Sequence, residues 1–236
     1  MKSLNNKPLN NKDLYKIIKE LEKEGPWNHY FRFNENLQTI NEKLIPRSEG
    51  SNINKWHRMN KIVEERYFND KTIIDIGCSD GYFSYKVSSY AKKVLGIDLD
   101  SSRIKKANFI KSYFKLDNCN FLTKHIGHLE NQKYDIGLIL GLLHRVPDPL
   151  ILLQKVSNIC DELIIEYKCL KSNKNLAYYG NAQKKTNDFN KLYFIFSPNC
   201  LEEILKELNF RIINSEKLKT FNKLKFPRHI IHAKKI

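Results

Sequence analysis

The stretch Thr72–Ser84, TIIDIGCSDGYFS, decides how the rest of the chain is read. An apolar run of isoleucines meets an aspartate, and Gly77, Ser79 and Gly81 then follow within five residues. Ile73, Ile74 and Ile76 have the character of a buried strand. Gly77 and Gly81 permit positive φ and carry no side chain, so a ligand can lie against bare backbone. A helix beginning near Tyr82 adds free N–H groups and a partial positive charge. Ligands of open parallel sheets sit beyond the carboxyl ends of the strands, which is where this turn falls.

Downstream, strands and helices alternate. "KTIIDIG" reads as a strand and Tyr82 to Ala91 as a helix; "KKVLGIDLD" as a strand and Ser101 to Phe114 as a helix. "CNFLTKHI" and "YDIGLILGLL" are two further strands, followed by a helix from Asp148 to Asn158 and the strand "DELIIEYKC". A polar stretch at about 170–190 breaks the rhythm. "SPNCLEEILKELNF" is then a helix capped by Ser197, and "RIINSEKL" and "RHIIHAKKI" suit an antiparallel pair at one edge. Strands separated by helices predict a parallel sheet covered on both faces, an α/β/α sandwich.

Upstream of Lys71 the pattern differs. "NNKDLYKIIKELEKEG" predicts a helix capped by Asn11 or Asp13, with Leu14, Ile17, Ile18 and Leu21 on one face and Gly25 at its end. Phe31 and Phe33 alternate with polar residues before "NEN" and Leu37, which reads as a small hairpin. A second helix runs from about Ile53 to Phe68. Residues 1–68 are therefore expected to cap a main domain of residues 69–236, with an insertion at about 170–190.

The 236 residues suffice for one domain with additions and a proper core. No apolar stretch approaches the ~20 residues of a membrane span. With a polar N-terminus, that makes a cytoplasmic protein the expectation. The five cysteines form no C-x-x-C pair, so reduced, buried thiols are expected and a zinc knuckle is not. No cluster of His and carboxylates implies a metal. The formal charge of +15 is carried mostly by Lys within a chain also rich in Asn and Ile. It reads as a composition bias and is compatible with an RNA partner.

Two ligand classes use a turn like the opening one. A dinucleotide fingerprint, G-x-G-x-x-G, meets Gly77 but then Ser79 and Tyr82. The pattern D-x-G-x-[GS]-x-G is met by Asp75, Gly77, Ser79 and Gly81. This resembles motif I of the class I S-adenosylmethionine-dependent methyltransferases. One strand later, Asp98 stands at the tip of "VLGIDLD", where a carboxylate can accept both ribose hydroxyls or cap the next helix. "YDIGLILGLLHRVPDP" and "YFIFSPNCLEEILKELNFRI" resemble the fourth-strand motif and the late substrate-side segment of the same family. The resemblance implies a Rossmann-like seven-stranded sheet of order 3-2-1-4-5-7-6 with the last strand antiparallel. It also implies a cofactor site of Asp75, Gly77, Cys78, Ser79, Gly81, Tyr82, Asp98, Leu99 and Leu140. The region after the third strand carries no acidic residue before Glu130, which leaves His125 and Ile126 beside the adenine.

"GPW" at Gly25–Trp27, "KWHR" at Lys55–Arg58, "GYFS", "YFIFS" and the closing "FPRHIIHAKKI" follow in an order that resembles the tRNA wobble-uridine carboxymethyltransferase-like group. That resemblance implies transfer of a one-carbon group from S-adenosylmethionine, or from its carboxylated derivative, to oxygen or nitrogen of an RNA or small-molecule acceptor. Tyr82 and Arg228 then hold the extra carboxylate, while Glu24 stands where a lysine is expected. A catalytically silent cofactor-binding module is the alternative. His144, after the fourth strand, is the candidate proton acceptor. Trp27, His29, Trp56, Arg58, Tyr193 and Arg228 are candidates for the acceptor site, the aromatic ones by stacking on a flat group. Tyr178, Tyr179, Lys174, Lys184 and Lys185 form a basic loop that is either solvated surface or a place to meet phosphates.

Overall fold

The computed structural model of the chain describes residues 10–39, 51–129, 132–181, 192–217 and 226–236. Helix α1 (Asn11–Glu22) is capped one residue earlier than its sequence predicts. Asn10 is extended, and its carboxamide oxygen accepts the Asp13 N–H at 2.9 Å. Strands β1 (Arg32–Asn34) and β2 (Leu37–Gln38) make the expected hairpin.

The helix expected from Ile53 to Phe68 is divided. Helix α2 (Asn52–Ile62) stops where Val63 turns extended, at φ −139° and ψ 109°. Val63 reaches the core by leaving the helix, and Glu65–Phe68 form a separate 3-10 turn. The freed Ile62 carbonyl accepts the Asn214 amide at 3.0 Å, so the helix end is satisfied by a distant strand.

The main sheet is built from β3 (Thr72–Ile76), β4 (Lys93–Asp98), β5 (Cys119–Thr123), β6 (Tyr134–Leu140), β7 (Cys160–Lys168), β10 (Phe210–Lys217) and β11 (Arg228–Lys235). They lie in the order β10-β11-β7-β6-β3-β4-β5. β11 runs antiparallel to both β10 and β7, and every other pair in that sheet is parallel. Counted in chain order from the β5 edge, this is the expected 3-2-1-4-5-7-6.

Helix α3 (Tyr82–Ser88) ends before Ala91. The Ser88 hydroxyl bonds back to the Tyr85 carbonyl at 2.8 Å, and the Asn118 amide takes the carbonyls of Ser88 and Ala91. Helices α4 (Ser101–Phe114), α5 (Pro149–Ile159) and α6 (Pro198–Glu207) are capped by Asp100, Asp148 and Ser197.

The polar 170–190 stretch is not all loop. Strand β8 (Ala177–Asn181) pairs with β9 (Leu192–Phe196) as a separate two-stranded arm. Ser197 anchors its base by donating to Lys174 O and accepting Leu176 N. Lys184 and Lys185 fall outside the described residues.

The cap and the sheet face under α3 and α4 share one apolar cluster, from Leu14, Trp27, Trp56 and Met59 to Ile73, Phe83 and Phe109. Charged groups also tie the cap to the sheet. Glu162 on β7 accepts from the Tyr67 hydroxyl at 2.8 Å and from His232 Nε2 at 2.7 Å, with Lys234 at 3.3 Å. Burial pushes its carboxyl up, but the bonds from His232 and Tyr67 outweigh it and hold the pKa down at about 2.

A carboxylate held below its ordinary 4.5 stabilises the fold above that value and loses the contribution as pH falls toward about 2. Glu162→Gln should therefore lower the melting temperature at neutral pH. It should also flatten the fall of melting temperature between about pH 5 and about pH 2.5. Equal acid slopes for the two proteins would remove Glu162 from the acid sensitivity.

Candidate functional site

The turn after β3 leaves the sheet in left-handed steps, with φ of 71° at Gly77, 52° at Ser79 and 84° at Gly81. The N–H groups of Gly77 and Cys78 both donate to the Ile97 carbonyl, at 2.8 and 3.0 Å. A Cβ on Gly77 would stand 2.9 Å from the Leu142 side chain, and one on Gly81 would stand 2.7 Å from Phe121. Both glycines are thus needed for backbone conformation and for packing. The Cys78 thiol is buried. Asp75 supports the turn from behind, accepting the N–H and hydroxyl of Ser84 at 3.2 and 2.7 Å. Burial pushes its carboxyl up to about 6.

Asp98, at the tip of β4, faces this turn. Its Oδ2 accepts the Ser79 N–H at 2.9 Å and its Oδ1 accepts the Asp100 N–H at 3.0 Å. The capping role open to Asp98 is taken by Asp100, whose Oδ1 accepts Ser102 N at 2.9 Å. A carboxylate has about four acceptor sites, so each Asp98 oxygen keeps capacity for a further donor. Such a group can hold two neighbouring hydroxyls. Leu99 beyond it is exposed. The exposed His125 accepts the Gly127 N–H at 3.1 Å, and Ile126 behind it is buried. Leu140 is half-buried at the end of β6.

A second group lies one strand over. Gly141, at φ 79°, follows β6 and donates its N–H to the Glu166 carbonyl at 2.8 Å. The Glu166 carboxylate is wholly buried; both oxygens accept from Arg228 Nη1, at 2.8 and 2.9 Å, and Lys55 Nζ stands 3.4 Å away. A Cβ on Gly141 would fall 2.5 Å from Lys55 Nζ, so the glycine makes room for the ammonium. Arg58 Nη2 donates to the Arg228 carbonyl at 3.3 Å.

Burial pushes the Glu166 carboxyl up, and Lys55 and Arg228 outweigh it, holding the pKa at about 2. Burial lowers Lys55. His144 is buried in the short turn Leu143–Arg145, and desolvation with the Arg228 charge pushes it down to about 2. Lys55, Arg58 and Arg228, with Lys168 further out, thus act on one carboxylate. The excess of positive charge suits an anionic group or an acceptor that reacts as an anion.

The aromatic candidates divide. Trp27 packs edge-on against Phe31 and Phe109, and Trp56 lies under Lys86 Nζ at 5.7 Å; both rings are buried within the protein. Tyr82 turns its ring onto His29 and Phe31 and hydrogen-bonds Asn52. His29 packs against Tyr82 and Phe83, and burial with the charge of Lys55 pushes its pKa down to about 3. The backbone of Tyr193 lies in β9, and its side chain is outside the described residues.

Sequence reasoning did not single out Lys55 and Glu166, which the structure brings together. A signal existed for Glu166, a lone charge in the apolar run LIIEY, because a buried carboxylate requires a partner. Among the described residues, no cluster of His, Cys, Asp or Glu can hold a metal ion, and no helix is long and apolar enough to cross a membrane.

Comparison with known proteins meets this geometry. The chain matches the family described as a methyltransferase domain over residues 68–225. It is 28% identical over 155 residues to a tRNA U34 carboxymethyltransferase of Aliarcobacter butzleri, a match covering 62% of this chain and 50% of that protein. The chain thus spans about half the length of that relative. It is 26% identical over 206 residues to a ubiquinone biosynthesis O-methyltransferase of Rickettsia typhi, covering 75% of this chain and 82% of the relative. The N-terminal domain of EvdMO1, solved in the presence of SAH and D-fucose, shares the fold with a TM-score of 0.69 at 12% identity, over 95% of this chain and 97% of that one. The glycine-bounded turn, the acidic strand tip and the family match over two thirds of the sequence agree: the chain belongs to the S-adenosylmethionine-dependent methyltransferases.

Proposed function

We propose that the chain transfers a methyl group from S-adenosylmethionine to an oxygen or nitrogen of an acceptor held between the cap and the carboxyl edge of the sheet. The observation that carries this reading is the hydrogen bond from Ser79 N–H to Asp98. It holds a half-buried carboxylate, with spare lone pairs, against a turn bounded by two glycines. The residues fit the cofactor. Gly77, Ser79 and Gly81 leave backbone open to the methionine part, Asp98 accepts the ribose hydroxyls, and Leu99, His125, Ile126 and Leu140 border the adenine. Asp75 and Cys78 brace the turn from within.

When bound, the sulfonium supplies an electrophilic methyl group whose leaving group is a neutral thioether. The chain's own task is alignment and exclusion of water. Lys55 and Arg228 lower the cost of a negative acceptor atom. His144, kept neutral with its pKa at about 2, orients an acceptor proton as a hydrogen-bond partner and is too weak a base to take it outright.

The unmodified cofactor is favoured over the carboxylated one. Arg228 already holds Glu166 through both oxygens, Tyr82 is turned toward Asn52, and Glu24 is paired outside the crevice with Lys105 at 2.7 Å. A second acceptor reading, an RNA, is supported by the arm β8–β9. It packs on the turn carrying Arg145 and leaves Tyr178 and Tyr179 exposed, at 44% and 57%.

Three measurements check these readings. Titration calorimetry should show S-adenosylhomocysteine binding, weakened about ten-fold or more by Asp98→Ala; unchanged affinity would remove Asp98 from the site, and no binding to the native chain would overturn the cofactor reading itself. The carboxylated cofactor should bind no tighter than S-adenosylmethionine, and a ten-fold preference for it would reverse the assignment. Affinity for RNA that falls steeply between about 50 and 200 mM salt would support the RNA acceptor, whereas salt-insensitive methylation of a neutral metabolite would exclude it.

A further inference from the structure

Two residues of the glycine turn reach away from the cofactor crevice and into the cap. Asp80 is wholly buried. Its Oδ2 accepts the backbone N–H of both Asn28 and His29, the latter at 3.1 Å. Its Oδ1 faces Arg103 Nη1 at 3.7 Å. The neighbouring Ser79 hydroxyl accepts from the Asn28 side chain at 3.0 Å and from Arg103 at 3.1 Å, while Arg103 Nε also meets Asp100 at 3.3 Å. The Ser79 N–H goes to Asp98. One dipeptide, Ser79-Asp80, therefore joins the cap segment before β1, the cofactor turn and the acidic tip of β4.

This arrangement leaves little freedom for the cap to move alone. Lifting Asn28 and His29 off the turn would strip two backbone donors from a buried carboxylate, and such a group is costly to leave short of partners. Turning Ser79 out of its left-handed conformation would break its bonds to Asp98, Arg103 and Asn28 together. The cap stretch so held carries the His29 ring onto Phe83, the ring under Lys55 Nζ. The acceptor side is thus set in place through the same residues that shape the cofactor side.

We propose that Asp80 is a positioning residue that couples docking of the cap to binding of the cofactor, so that the acceptor pocket is completed only when the cofactor turn is held. This rests on the reading of the chain as a methyltransferase. Coupling of this kind is reciprocal: a cofactor that firms the turn firms the cap, and a loosened cap weakens the cofactor.

Hydrogen exchange and calorimetry with S-adenosylhomocysteine test it. In the native protein, the ligand should slow exchange of the Asn28 and His29 amides by about ten-fold. In Asp80→Ala, affinity should fall by about ten-fold or more, and those amides should exchange at the same rate with and without ligand. Asp80→Asn keeps an acceptor oxygen and should shift both quantities in the same direction by less, which preserves the test should the alanine variant not fold. A purely structural brace would change the melting temperature without removing the ligand dependence of those two amides. Native-like affinity and ligand response in both variants, or native amides indifferent to the ligand, would overturn the proposal. A native protein that does not bind the ligand would overturn the methyltransferase reading beneath it.

Discussion

A backbone oxygen, that of Ile97, sets the geometry of the carboxyl edge. Two successive amides, Gly77 and Cys78, converge on it. They can do so only because Gly77 takes a conformation open to residues without a side chain. The bonds keep β3 stitched to β4 past the last rung of their ladder, so the chain peels away directly beside Asp98. Ser79 then delivers its own amide to that carboxylate. The acidic tip and the bare turn are held together by main-chain bonds rather than by long side chains. Little conformational freedom remains to be lost when a ligand arrives, which favours affinity.

The opposite side of the pocket is organised by charge. Glu166 is faced by cations from two other elements: Lys55 and Arg58 on α2, and Arg228 on β11. A buried ion group of this kind adds little net stability, because desolvation offsets most of the attraction. Its effect is on position. It fixes the cap helix against the sheet at the one place where Gly141 leaves a gap, and it presents an uncompensated positive field toward the space above.

The sheet could be read from the sequence because its strands are apolar and separated by helices with clear caps, such as Asp148 and Ser197. The tight turn after β3 could be read because its left-handed positions are marked by Gly77 and Gly81, which carry no side chain. Three features were not legible for one common reason, that tertiary partners override the local pattern. Val63 continues the apolar rhythm of α2 and yet reaches the core by leaving the helix. The half-polar AYYGN becomes a strand only through β9, which lies beyond an intervening stretch. Arg228 finds Glu166 across 62 positions of sequence, a pairing no window of local pattern can reveal. Within the turn itself, Asp80 occupies a position that the motif leaves free, so its reach into the cap was silent.

The ring of Phe121 gives the turn a floor. It fills the space that a methyl group would take at Gly81 and also at Gly96, where the added carbon would approach to 2.6 Å. Three positions on three elements therefore share one volume. None of them can be exchanged independently. A smaller residue at 121 leaves a void beneath the turn, and a larger one at 81 or 96 collides with the ring. Any lineage or library that varies this region must move through paired substitutions, with epistasis concentrated on the floor of the turn.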